Sequence, residues 1–593
     1  MTDDVPHTRR HPWLGWLIAA VVVFLVFCIA WIAVRGIGAS ASLSSAVRTT
    51  DEVRDVVNAG SAEGLTAATK RIAADTANAR VLTSDPIWRG AELVPWLGAN
   101  LTALREVSAA ADDIAQDAAP HLVQAAAGAN LATMGLTGAR LPIAPLVAVQ
   151  PQLEDAAAVL GRAQDRLASI DPGGLLPPFR GVVEATHDEI RTVAQATARL
   201  AVAARVLPAI AAADGPRNVL VVVQNNAELR SSGGTPLAYA LLRVDGGTTR
   251  LVKVAGYGTL APFPTPVAEL TPLSRTLFGD APALRVQDAL SAPAFPEAAT
   301  LVARMWTARA GDRVDAVVAL DAVSLARLLS ATGPLTVGGV EFTDENAAAI
   351  LLGGTADHAA PASPATAAAL VSQVFTTVAN GTADPRRTLA ALVAAGDAGR
   401  ARVWLADPAA QETVARTTLG GILPADRSGA VHVAVLANAG EGGWLGAYAD
   451  DSVTAALGSC GPDGRTVLRV TVTWRNTLSP EAAASLPASV LGPSDPAGTQ
   501  RVRIAVIGPR GWTAGSADAG ADGDAGDAGD AGADGADADR RAAQQDDVVV
   551  APGATERVTV EFTAPDAARP RVHTRVTPLV GKTPVATGDL ACG

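Results

Sequence analysis

The chain has 593 residues, 49% of them apolar but only 4% aromatic, so it exceeds one small module and must build its cores largely from small side chains. Its 47 Lys+Arg against 59 Asp+Glu give a net charge of -12. That excludes a chain-wide basic field, and nucleic acid is not an expected partner.

The first twelve residues read as a cytoplasmic tail. From Trp13 to Val34 no charge occurs, and at 1.5 Å per residue this run makes about 33 Å of helix, enough for one transmembrane span. Arg9 and Arg10 just before it favour a cytoplasmic N-terminus with everything beyond the span extracytoplasmic. The alternative is a cleaved signal peptide, for which Ala39-Ser40-Ala41 offers a small-residue site; its apolar core is usually only about 7–15 residues.

Residues 43–213 carry helical periodicity. Leu153, Ala156, Leu160, Ala163, Leu167 and Ile170 make one heptad seam. Leu104 to Ala118 make a second, and Val183, Ile190, Val193, Thr197, Leu200 and Ala204 lie on a third. Breakers at Pro86, Pro95, Pro142–Pro151 and Pro172–Pro178 allow an antiparallel helical bundle, either a stalk or a packing partner for the next domain.

At Pro216 the period becomes extended, and residues 216–448 read as a mixed α/β domain. Asn218–Gln224 is a buried strand, and Leu237–Val244 with Thr248–Ala255 make a hairpin across Asp245-Gly246-Gly247. Val314–Leu320 is a strand whose following Asp321 caps a helix. Residues 451–593 alternate as half-buried strands, which predicts a C-terminal β-sandwich. Within it, the acidic, low-complexity stretch 515–539 predicts a disordered loop. Cys460 and Cys592 flank this segment, and outside the cytoplasm they are expected to form a disulfide. The fold class is therefore α+β and multidomain.

The clearest candidate site is the polar loop after the first strand. Arg230 suits a phosphate, Glu228 suits a cation or the orientation of Arg230, Asn225 and Asn226 offer amides, and Gly233-Gly234 let backbone approach an anion. Arg243 and Lys253, on the following hairpin, are the further cations that could join this site. The structural alternative is that the asparagines satisfy buried backbone, the glycines make the turn, and Glu228 pairs with Arg230. Asp288, Glu297, Asp315 and Asp321 suit structural roles better than a carboxylate site, and the seven histidines lack metal-ligand spacing. Neither the GxSxG elbow nor the P-loop lysine motif occurs.

The run Gln224-Asn225-Asn226-Ala227-Glu228-Leu229-Arg230-Ser231-Ser232-Gly233-Gly234 resembles the signature of a bacterial membrane-anchored envelope family known only as domain of unknown function 4012 (DUF). Pro95-Trp96-Leu97-Gly98, Val314–Asp321 and Thr332–Val337 resemble further blocks of it. Thr235-Pro236 stands where that family usually has an aromatic residue, and Gly442–Tyr448 replaces its Lys-rich block. The block order is similar, more weakly, to the LytR-CpsA-Psr phosphotransferases, which move a polyprenyl-linked glycan onto the cell wall. Their arginine-aspartate pair is replaced here by Ala255–Leu260, and no arginine cluster occurs in Pro361–Phe375.

The resemblance implies an envelope protein that acts noncatalytically in cell-wall or surface-polysaccharide assembly, among other envelope proteins, with a polyprenyl-phosphate-linked glycan as ligand. Two alternatives stand beside it: a Mg²⁺-dependent phosphotransferase using Glu228 and Arg230, and a purely structural scaffold.

Overall fold

The structure, a computed structural model, describes residues 12–58, 62–95, 97–129, 143–212, 215–353, 361–415, 417–423, 426, 429–440, 442–461, 464–515 and 541–592. The tail up to residue 11 and the acidic loop from residue 516 lie outside them. Two compact units form, Met1–Met134 with Ala144–Arg205, and Gly135–Ile143 with Val206–Gly593.

The first unit is helical. Pro12–Asn58 is one helix of 47 residues. Within it Ala19–Thr49 is long and apolar enough to cross a membrane, and Phe24, Leu25, Val26 and Ile29 are exposed along it. A second helix, Phe179–Ile210, passes the same test of length and composition, but Val183, Ala194, Ala201 and Ala204 on it are buried in apolar clusters. The seam Leu153, Ala156, Leu160, Ala163 and Leu167 is buried throughout. On the later helix the buried stripe is instead Val183, Ala194, Thr197, Ala201 and Ala204, with Val193 and Leu200 exposed. A straight helix turns every 3.6 residues, so a strict 3.5-residue seam drifts off the contact.

The second unit begins with β1 (Arg217–Asn225), β2 (Thr235–Asp245), β3 (Thr248–Gly256) and β4 (Ala316–Asp321). A two-stranded ribbon, β5 (Leu335–Val337) with β6 (Val340–Phe342), precedes β7 (Ala401–Leu405). These give a mixed sheet in the order β3-β2-β1-β4-β7. β1 runs parallel to β4, with Gln224 opposite Asp321, and β7 returns antiparallel, with Arg402 opposite Ala319. The continuous apolar run of β1 is buried because the sheet is covered. Leu220, Val222 and Tyr239 pack with Phe295, Val302, Met305 and Trp306 of the helix Phe295–Ala310.

The remaining strands are β8 (Ala430–Ala439), β9 (Ala449–Gly458), β10 (Val467–Asn476), β11 (Gln500–Arg510), β12 (Thr513–Gly515), β13 (Arg541–Val550), β14 (Thr555–Thr563), β15 (Arg571–Val576) and β16 (Val585–Asp589). The C-terminal β-sandwich expected for 451–593 is overturned. The strands form two open sheets, β12-β14-β10-β9-β16 and β13-β11-β8-β15, neither of which closes on itself. Both are mixed, since β15 runs parallel to β8 and β16 parallel to β9. The physical reason is the chain path: β8 precedes the segment in sequence yet pairs with β11 and β15, so 451–593 does not complete its own sheets. Val470, Val472 and Trp474, with Val502, Ile504 and Val506, and with Val558, Val560 and Phe562, supply one shared apolar core. Cys460 and Cys592 are joined in a disulfide, with Cα atoms 5.2 Å apart.

Candidate functional site

Parallel strands leave their carboxyl ends open to ligands in α/β sheets, so the ends of β1 and β4 are where a site is sought. The loop from Asn226 to Gly234 leaves that end and is buried apart from Glu228. Its turn is held from within. Asn225 Oδ1 accepts from the Ala227 amide at 2.9 Å, the Thr235 amide donates to the Glu228 carbonyl at 3.0 Å, and the Gly233 amide donates to the Arg230 carbonyl at 2.7 Å. Gly233 has φ +135°, and a Cβ on Gly234 would overlap the Asn225 carbonyl, so both glycines are required by the turn itself.

Arg230 is 8% exposed and turned inward. Its Nε donates to the Gln287 carbonyl at 3.0 Å, Nη1 to the Leu229 carbonyl at 2.8 Å, and Nη2 meets Asp288 at 3.1 Å and Glu228 at 3.5 Å. The other oxygen of Glu228 accepts from the Thr235 hydroxyl at 3.0 Å. Glu228 and Arg230 are thus closed onto one another and onto Asp288. Arg243 and Lys253 are not brought to this loop. Arg243 donates to Asn218 at the start of β1, seven residues or roughly 23 Å of strand from Asn225, and Lys253 pairs with Asp312 at 2.6 Å.

Mg²⁺ takes several oxygen ligands at about 2.1 Å in near-octahedral geometry. A single Glu228 carboxylate already engaged by Arg230 and Thr235 does not fit that ion, and among the described residues no group of three or more His, Cys, Asp or Glu is placed to hold a metal.

What gathers at the carboxyl ends of β1 and β4 is a different set. Asp321, fully buried, caps the helix Ala322–Thr332 through Oδ1, which accepts from the Ser324 amide at 2.7 Å. Its Oδ2 accepts from Asn226 at 2.7 Å and from Arg400 at 2.5 Å. Asn226 also donates to the Pro578 carbonyl at 3.2 Å, and Arg400 to the carbonyls of Leu579, Val580 and Gly581 at 2.6, 3.3 and 2.8 Å. Around this hub, Gln224 Nε2, Asn226 Oδ1, Ser232 Oγ and Ser324 Oγ are sealed from solvent with no hydrogen-bond partner. Arg402 and Arg575 supply two more guanidinium groups. Burial pushes Arg402 down to about 10, partly opposed by Asp321, and pushes Arg575 down to about 9, with the charge of Arg402 adding to the effect.

Asp321 is the helix cap its sequence position predicts, and its second oxygen, which no local pattern marks, holds the hub together. The signal for Arg400 and Arg402 was present: two arginines stand two residues apart at the start of an otherwise apolar strand.

Residues 214–354, which span β1 to β6 and include the loop and Asp321, match the model of a family described as a protein of unknown function (DUF4012). The chain carries a DUF4012 domain. No curated protein and no solved structure matches the chain. Arg400, Arg402 and Arg575 lie beyond the DUF4012 match, so the polar hub joins the matched region to residues that follow it.

Proposed function

We propose that this protein is anchored by the single span near its N-terminus, with that terminus cytoplasmic, and that it acts noncatalytically in cell-wall or surface-polysaccharide assembly. Its ligand is a polyprenyl-phosphate-linked glycan, taken up at the carboxyl ends of β1 and β4. The observation that carries this reading is the set of four orphaned polar atoms on Gln224, Asn226, Ser232 and Ser324. Buried polar groups are nearly always hydrogen-bonded, and an unmade bond costs about 1–3 kcal/mol. Amides and hydroxyls in such a place suit the hydroxyls of a sugar. The span on Ala19–Thr49 and the DUF4012 match support the envelope setting.

Lipid extraction and mass spectrometry of the detergent-purified full chain test it, comparing wild type with Gln224→Ala. A co-purifying polyprenyl phosphate glycan in wild type, reduced severalfold in the variant, is the expected result. Wild type carrying none, when isolated from cells that make such lipids, overturns the reading.

A further inference from the structure

Arg400, just before β7, and Arg402, within it, stand two residues apart and end in unlike surroundings. Arg400 has a carboxylate and three carbonyls. Arg402 is 4% exposed. Its guanidinium makes one hydrogen bond among the described residues, from Nη1 to the carbonyl of its neighbour Ala401 at 3.1 Å, and its Nε is sealed from solvent without a partner. Arg575 reaches the same place from β15. It donates to the carbonyls of Gly421 at 2.9 Å and Pro293 at 3.0 Å, and its Nε is likewise sealed and unpartnered. Among the described residues neither arginine forms an ion pair, although buried charges are ordinarily paired.

Two glycines let the backbone pack closely against the Arg402 side chain, where any larger residue would press on it. A Cβ on Gly421 would lie 2.6 Å from Arg402 Cδ and 2.9 Å from its Nε, and a Cβ on Gly399 would lie 3.3 Å from Nη2. Gly421 also links the two cations, since its carbonyl accepts from Arg575 while its Cα faces Arg402. Asp321 already neutralises Arg400. Two positive charges therefore remain, on the buried Arg402 and the half-buried Arg575, with fork-shaped donors to spare.

We infer that Arg402 and Arg575, with Gly399 and Gly421 beside them, form an oxyanion site that takes a phosphate group. A free phosphate or phosphate monoester carries about -1.5 to -2 charges at neutral pH, and a lipid-to-glycan pyrophosphate linkage carries about -2 spread over two phosphates, so either matches two guanidinium groups in charge and offers acceptor oxygens to their forks. The inference deepens the carrier reading above by naming the residues that hold the phosphate. It applies equally to a free phosphate and to one attached to a lipid.

The test uses the detergent-purified full chain and two probes, inorganic pyrophosphate and a polyprenyl phosphate, with binding followed by calorimetry and by the shift in melting temperature. Wild type is expected to bind pyrophosphate saturably and to melt higher with it. Arg402→Gln should weaken binding at least tenfold, whereas Arg313→Gln, at an exposed arginine just before β4, should not. Arg402→Met guards against simple misfolding, because removing an uncompensated buried charge should raise the melting temperature without ligand and abolish the ligand-induced rise. Equal pyrophosphate binding by wild type and Arg402→Gln overturns the site, as does an equal shift from chloride at matched ionic strength. Pyrophosphate binding that needs Arg402, with no competition from polyprenyl phosphate, keeps the site and sinks the lipid-carrier reading. Co-purifying lipid that survives in Arg402→Gln does the reverse.

Discussion

Asp321 and Arg400 meet at 2.5 Å with side chains 0% and 7% exposed, and the same carboxylate also starts a helix and holds Asn226. Removing one partner from a buried pair leaves the other charge uncompensated and costs about 3–5 kcal/mol. Asp321→Ala goes further, since it removes the cap on Ser324 and leaves Arg400, Arg402 and Arg575 with no carboxylate among them. Chemical denaturation of the full chain should show a loss at the top of that range. Arg400→Met, which leaves Asp321 with Asn226 and the Ser324 amide, should cost less. Equal losses in the two variants would contradict this account.

Arg230 offers a second test, because its neighbours assign it to architecture. Its donors reach two carbonyls and two carboxylates in fixed directions. A lysine keeps the charge but loses the planar fork. Arg230→Lys should lower stability by about 2–4 kcal/mol, in line with the loss of charged hydrogen bonds from a buried group. Pyrophosphate affinity, measured on the fraction that remains folded, should be unchanged. A variant of native stability that binds pyrophosphate tenfold more weakly would return Arg230 to the ligand.

The glycines of the loop separate turn geometry from ligand access. A methyl group on Gly234 meets the Asn225 backbone carbonyl, which has no flexible end to move aside, whereas one on Gly246, with φ +51°, meets nothing within 4 Å. Gly246→Ala should therefore cost only about 1 kcal/mol, through its left-handed backbone. Gly234→Ala should strip the chain of soluble, folded protein at the same expression level. Comparable melting temperatures for the two would show that the turn can relax.

Local pattern made most of the sheet legible. The apolar run of β1, the Asp-Gly-Gly hairpin between β2 and β3, and the Asp321 cap are each written in a few adjacent residues and formed where those residues place them. The short helices Pro272–Phe278, Ala281–Leu284 and Val286–Ala289 carry too few turns to show a period and were not anticipated. The sheet partners of β8 could not be read either, because they come from Val502–Ile507 and from Arg571–Val576 and depend on chain path rather than on local composition. The site divides in the same way. Asn226 and its loop were visible as a motif, while Arg400 reaches Asp321 across 79 residues and Leu579 to Gly581 across 179 to 181, and Arg575 reaches Gly421 and Pro293 across 154 and 282.

The disulfide joins residues 132 apart, on either side of β16 and the strands that precede it. Closing so long a loop restricts the unfolded chain, and removing such a link typically costs 2–5 kcal/mol, or about 4.7 kcal/mol for a 100-residue loop in the chain-entropy model. Cys460→Ser with Cys592→Ser should lower the melting temperature to the same value as full reduction of wild type. Reduction that leaves melting unchanged would show that the edge pairing of β16 with β9 holds without it.

Asp451 supplies a pH dependence of known sign. It lies on β9, its Oδ1 accepts from the Thr583 hydroxyl at 2.6 Å, and burial, helped by the neighbouring Asp450, raises its carboxyl to about 6 despite that bond. An acid whose folded pKa lies above its unfolded value of about 3.9 binds its proton more tightly in the folded state. Its contribution is therefore most favourable below about pH 4 and is lost as pH rises through about 6. At 1.36 kcal/mol per unit the whole effect is at most ~3 kcal/mol. His573 acts oppositely, since burial together with His432 and Arg571 holds its pKa below the ordinary value, which makes acid unfavourable. Measured stability mixes the two, so the informative experiment is Asp451→Asn. The variant should be more stable than wild type at pH 7.5, and the advantage should vanish between pH 6 and pH 4 as the wild-type carboxyl takes up its proton. A constant difference across that range would show that Asp451 titrates normally and that its burial is relieved by solvent.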